Sequence, residues 1–163
     1  MELAAYCARS WWFSTWRTTG KRPLTCPELT ADTLNINSLI APIVYLRLHG
    51  MPAQPFLYGD DWQTALAAHQ VKAADFSGSL VFLEGCYGDQ MAKAFLAADA
   101  KAVVGCTKST YGRRWRLGPS SIVGRAWLRM VRRGFAASDA LNYAIGKVRA
   151  PYREGWVAHE RKT

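Results

Sequence analysis

The chain has 163 residues, half of them hydrophobic, and carries 21 Lys and Arg against 12 Asp and Glu, a formal net charge of +9 at pH 7. That length fits one domain over 1–163 with a substantial core, and no apolar run is long enough to form a membrane-spanning helix. The basic balance invites an acidic partner such as nucleic acid, anionic lipid or an acidic peptide, although a solvated basic surface is the preferred reading.

Cys7, Cys26, Cys86 and Cys106 are widely spaced and form no CxxC pair, which argues against a structural zinc site. Glu2 stands where a signal peptide would carry positive charge, so a disulfide scaffold is not expected and the cytoplasm is the expected location.

In chain order, Leu3 to Ala8 reads as a first strand. Residues 17–42 contain Gly20, Pro23, Pro27 and Pro42 and read mostly as loop, with one helical turn near Ala31–Leu39. The first 40 residues are therefore an atypical N-terminal segment. Ile43-Val44-Tyr45-Leu46-Arg47-Leu48 is a strand running into His49-Gly50. Met51–Gly59 reads as a loop crossing over His49, and Asp60 or Asp61 as the cap of a helix carrying Trp62, Ala65, Leu66 and Ala73. Leu80-Val81-Phe82-Leu83-Glu84 is a strand running into Gly85-Cys86-Tyr87-Gly88.

Beyond it, Met91, Ala94, Phe95 and Ala98 share one helix face, and Ala102–Gly105 is a short strand. Lys108–Pro119 reads as an arginine-bearing loop. Pro119-Ser120 opens a helix with Val123, Ala126, Trp127, Met130 and Val131 inward, stopped near Gly134. Ser138 caps a last helix ending before Pro151, and residues 150–163, with His159, read as a polar tail. Alternating strands and helices predict an α/β fold: a three-layer sandwich around a mainly parallel sheet.

In such a sheet, reactive groups gather beyond the carboxyl ends of the strands. If the strands ending at Leu48 and Glu84 are neighbours, His49 and Cys86 meet on one rim, as nucleophilic cysteine catalysis requires. A thiol needs help to ionise, and the dipole of the helix after Asp89 together with His49 as proton acceptor would give it. The backbone amides of Gly50 and Cys86 are the candidate oxyanion donors. A buried, inert cysteine at a strand end is the competing reading of Cys86. Cys7 and Cys106 read as core residues and His69 as solvent-facing.

Strand-His-Gly followed by strand-Gly-Cys resembles the caspase-like cysteine peptidases of clan CD. The residues that carry the resemblance are Leu48-His49-Gly50, Leu83-Glu84-Gly85-Cys86-Tyr87-Gly88 and the stretch Ala94–Gly105 ending in Val103-Val104-Gly105. Within the clan, the Ala94–Gly105 stretch and Arg133–Ala144 are most similar to the CHAT-domain subgroup. The resemblance covers roughly 40–149. It implies a caspase-like sheet, a His49–Cys86 dyad working through an acyl-enzyme, and a protein or peptide substrate, with no metal or organic cofactor in the chemistry.

Clan CD resemblance also implies selection of a basic or an acidic residue before the scissile bond. Asp60, Asp61 and Asp89 are the candidate partners of a basic side chain, which is the preferred expectation. Arg113, Arg114 and Arg116 are candidates for gripping an acidic one. Arg17-Thr18-Thr19-Gly20 faintly resembles a caspase arginine element.

Two other classes of function stay open. One is a catalytically silent module of the same fold, using Trp11, Trp12 and Trp16 as protein-interface anchors. The other is a basic nucleic-acid binder, with Arg125, Arg129, Arg132 and Arg133 striping one helix and Trp11, Trp12, Phe13 and Trp16 available for stacking. A solvated arginine face is the preferred reading of that stripe.

Overall fold

A computed structural model describes residues 1–110 and 117–161. Its centre is a six-stranded sheet made of β1 (Leu3–Ala8), β2 (Leu24–Cys26), β3 (Ile43–Arg47), β7 (Leu80–Leu83), β8 (Ala102–Cys106) and β9 (Trp156–Glu160). The spatial order is β2-β1-β3-β7-β8-β9, parallel throughout except for β9, which runs antiparallel to β8. The α/β sandwich with a mainly parallel sheet is as the sequence predicts.

Two apolar layers follow from the period-two alternation of the strands. One face sends Tyr6, Val44, Leu46, Val81, Leu83 and Val103 towards α2 (Ala68–Lys72) and α3 (Ala92–Ala97). The other sends Leu3, Ala5, Ile43, Tyr45, Phe82 and Val104 towards α4 (Pro119–Val131) and α5 (Ala137–Ile145). Trp127 of α4 is fully buried against Phe82, with ring centroids 5.1 Å apart, and its indole N–H donates to the Ala137 carbonyl at 3.1 Å.

Three segments differ from the sequence expectation. The helix expected after Asp60 is instead a hairpin: β5 (Phe56–Tyr58) pairs antiparallel with β6 (Thr64–Ala67) around a 3-10 turn at Asp60–Trp62. With β4 (His49–Gly50) they form a small second sheet, and only α2 is helical. Ala65, Leu66 and Ala67 are consecutive and all buried, so the contiguous run governs rather than the helical spacing. The loop expected over Met51–Gly59 accordingly contains β5.

The N-terminal segment holds a two-turn helix, α1 (Trp12–Thr19), and the edge strand β2. The helix buries Ser14, Thr15, Thr18 and Thr19 and turns Trp16 outward, the reverse of an ordinary amphipathic pattern. The buried hydroxyls of Thr18 and Thr19 are satisfied by the carbonyls of Ser14 and Thr15, at 2.8 and 2.9 Å. Lastly, the expected polar tail over 150–163 includes β9, where His159 pairs with Val103. Backbone pairing to the β8 edge compensates for a half-exposed, weakly alternating sequence.

Candidate active site

β3 and β7 are adjacent and parallel, with Leu46 opposite Leu83. Both therefore end on the same rim, and each delivers one sequence-predicted residue: His49 two residues past β3, Cys86 three past β7. The Glu84 amide extends the ladder by donating to the Leu46 carbonyl at 2.7 Å. Beyond that rung the two chains touch backbone to backbone. A Cβ placed on Gly50 would overlap the Cys86 carbonyl oxygen, and one on Gly85 would overlap that of Leu48. Both glycines are needed for this close approach, which fixes the His-Gly and Gly-Cys segments against one another.

The Gly88–Met91 turn after Cys86 rests on β8, where a Cβ on Gly105 would lie 2.7 Å from the Asp89 nitrogen. Tyr87 takes a left-handed conformation (φ 52°), and its amide donates to the Lys108 carbonyl at 3.0 Å. Asp61 and Trp62, across the cleft, are also left-handed, at φ 56° and 57°. Such strain in non-glycine residues persists only where the surroundings hold it, and here it flanks the rim where the two strands end.

Among the four cysteines, Cys86 is the half-buried one. Its Sγ accepts a hydrogen bond from the Thr110 amide at 3.2 Å and lies 3.8 Å from the Thr110 hydroxyl. Burial pushes the Cys7 thiol up to about 12 and raises those of Cys26 and Cys106.

His49 sits between two tryptophans. The Trp11 ring lies 4.3 Å from the imidazole and that of Trp62 5.5 Å, centroid to centroid. Ser10, His49, Gly59, Asp60, Asp61 and Trp62 line a cleft of about 410 Å³. Of the three candidate acids, Asp60 and Asp61 thus share a cleft with His49. Asp60 accepts from the Ser10 amide at 2.6 Å and the Ser10 hydroxyl at 2.7 Å, while Asp61 is exposed. Asp89 is engaged elsewhere, 2.5 Å from Nε2 of His159. Arg113, Arg114 and Arg116 lie outside the described residues. Arg17 is on the exposed side of α1, and Trp11, half-buried, packs on His49.

Sequence reasoning missed the buried polar cluster beneath this rim. Glu84 is 2% exposed and accepts hydrogen bonds from Tyr45, from Ser120 at 2.7 Å and from Ser121 at 2.8 Å. Its Oε1 is also 3.2 Å from Nε of Arg47, which is 1% exposed. Arg47 donates to the Ser14 hydroxyl at 2.5 Å and lies 5.1 Å over the Trp11 ring, which in turn packs on His49. Burial and the Glu84 charge hold the Tyr45 phenol protonated well above its usual range. The available signal was a charged residue at the end of each apolar strand run, Arg47 and Glu84.

A doubly covered, mostly parallel sheet with His49 and Cys86 on the rim of two adjacent central strands is consistent with the caspase-like class of fold. Solved structures of a clan CD cysteine proteinase share it. The crystal structure of the Arg-specific cysteine proteinase gingipain R superposes with a TM-score of 0.60 at 14% identity, covering 90% of this chain. The complex of the Porphyromonas gingivalis RgpB pro- and mature domains gives 0.58 at 12% identity, again over 90% of this chain. The chain spans about two-fifths of each of those chains, 39% and 40%. At this identity the likeness establishes the fold. No protein-family model and no curated protein matches the sequence. Among the described residues no helix is long and apolar enough to cross a membrane.

Proposed function

We propose that the chain is a cysteine endopeptidase, of CHAT-like type by its sequence motifs, in which His49 and Cys86 act together and cleavage follows a basic residue. The observation that carries this reading is the backbone contact between Gly50 and Cys86, which joins the ends of two adjacent parallel strands at their only glycine-flanked histidine and half-buried cysteine. The fold shared with a cysteine proteinase supports it.

In this reading His49 takes the thiol proton, and the Cys86 thiolate attacks the substrate carbonyl carbon. The negative charge that develops on the carbonyl oxygen is met by backbone N–H groups of Gly50 and Cys86. The protonated His49 then donates to the departing amine, leaving a thioester on Cys86. Water, deprotonated by His49, hydrolyses the thioester and restores the thiol. The Cys86 thiol is hydrogen-bonded to Thr110 rather than to His49, so the substrate-bound state requires a rotation of Sγ towards the imidazole. Catalytic hydrogen bonds often tighten only when substrate binds.

The cleft beside His49 supplies the basis for specificity. Asp60 and Asp61 line it, and a guanidinium or ammonium taken from water needs a carboxylate within direct reach. A panel of peptides varied at the residue before the scissile bond tests the reading. Turnover after Arg or Lys that vanishes in Cys86→Ala is expected; turnover confined to Asp or Glu contradicts the acidic cleft.

A further inference from the structure

We infer that a second surface, on the outer side of α1, α4 and α5, is a docking groove for a single-stranded nucleic acid. A groove of about 950 Å³ runs along α4 from Leu117 and Ile122 to its end. Six cations line it: Arg17, Arg125, Arg129, Arg132, Arg133 and Lys147. No carboxylate lines it among the described residues, and none of the six pairs with one there. A concentration of like charge without counter-charge is unfavourable in the free protein and becomes favourable when an anion enters.

The chemistry of the groove favours phosphate. Five of the six cations are arginines, whose planar forks match phosphate oxygens. Arg125 and Arg129 lie four residues apart on α4, about 6 Å along the helix axis, comparable with the phosphate repeat of a nucleic-acid strand, and Arg133 follows in the turn just beyond the helix. Arg132 is partly committed, donating to the Thr19 carbonyl at 3.1 Å.

The second observation is aromatic. Because α1 buries its hydroxyl residues, Trp12, Phe13 and Trp16 form an outward cluster, with Trp12 and Trp16 stacked at 6.0 Å and Phe13 5.9 Å from Trp16. Arg17 lies 5.7 Å over Phe13 and also lines the groove, which makes the aromatic cluster and the basic track one continuous surface. Tyr143 is exposed at the opposite wall, under Lys147. A basic track flanked by exposed rings is the recognition chemistry of unpaired strands, where phosphates are neutralised and bases stack. An acidic peptide would use the charge but not the rings.

The test is fluorescence anisotropy of the full chain with a labelled oligothymidylate of about 20 nucleotides, and separately with a labelled polyglutamate of similar length. Four phosphate contacts give a log–log salt slope near −3, so affinity should fall about 50-fold between roughly 50 and 200 mM salt. Replacing Arg125, Arg129 and Arg133 together with Gln should reduce that slope by about 2. The control triple Lys72→Gln, Lys93→Gln and Lys101→Gln makes the same change in net charge away from the groove and should leave the slope unchanged. Trp16→Ala should weaken oligothymidylate binding about 5-fold or more without altering the slope. All these side chains are exposed, so unchanged far-UV circular dichroism is expected. Equal losses in the two triples would reduce the effect to net charge and overturn the proposal. So would absence of salt-dependent binding, or tighter binding of polyglutamate than of oligothymidylate.

Discussion

Arg47 and Glu84, the last charged residues before the His49 and Cys86 segments, form a buried ion pair with Nε and Oε1 3.2 Å apart. They tie β3 to β7 where the ladder ends and anchor both to α4 through Ser120 and Ser121, and to α1 through Ser14. Breaking such a pair from one side leaves a buried charge uncompensated, at a cost of about 3–5 kcal/mol. Glu84→Leu should therefore destabilise the fold by that order, measured by urea denaturation. Arg47→Met combined with Glu84→Leu should recover much of the loss, because no charge is then stranded.

Gly50→Ala probes the contact between the strand ends. The added methyl cannot coexist with the Cys86 carbonyl, so the Gly-Cys segment must move. Overpacking of this kind costs about 1–3 kcal/mol. A displacement of about 1 Å at the reacting atoms is enough to reduce kcat/KM about 100-fold. Steady-state kinetics with an Arg-containing peptide should show that fall while thermal unfolding shifts modestly.

The layers of the fold were legible in the sequence because their strands are unbroken apolar runs and because α4 and α5 keep a clean 3.6-residue period. His49 and Cys86 stood out for a related reason, each following such a run and touching a glycine. The hairpin after His49 was not legible: Pro52 and Pro55 mask β5, and the left-handed turn at Asp61-Trp62 uses no glycine. Helix α1 was hidden because it faces the sheet with hydroxyls rather than hydrocarbon, of which Ser14 meets the buried Arg47 guanidinium while Thr18 and Thr19 bond carbonyls of their own helix. Strand β9 depends on an edge that no local pattern announces. The engagement of Asp89 by His159 follows from that strand and was equally invisible.

Alkaline pH should loosen the protein through its buried thiols. The folded-state pKa of Cys7 is raised to about 12 from 9.0, so the folded form holds its proton where the unfolded chain has lost it. Unfolding then releases protons, and stability present below pH 9 is lost as pH rises towards 12. Cys26 and Cys106 are shifted in the same direction. Denaturation midpoints measured from pH 8 upward should fall, and Cys7→Ala should flatten the decline.

Asp61 is exposed in the cleft, whereas Asp60 holds the Ser10 backbone. Asp61→Asn should leave stability unchanged while lowering kcat/KM for Arg and Lys substrates about 10-fold, the equivalent of about 1.4 kcal/mol. Asp60→Asn should lower both, since Ser10 loses a charge-assisted acceptor. Peptide turnover beside thermal melts separates the two roles.

The pairing of His49 with Cys86 is tested most directly by thiol alkylation followed by peptide mapping. A peptidyl probe carrying Arg before its electrophile should label Cys86 far faster than Cys7, Cys26 or Cys106, which are buried and held as thiols. In His49→Ala the Cys86 rate should drop at least about 10²-fold, the usual size of a general-base contribution. Labelling of Cys86 at the rate of the buried cysteines, or labelling unaffected by His49→Ala, would contradict the dyad.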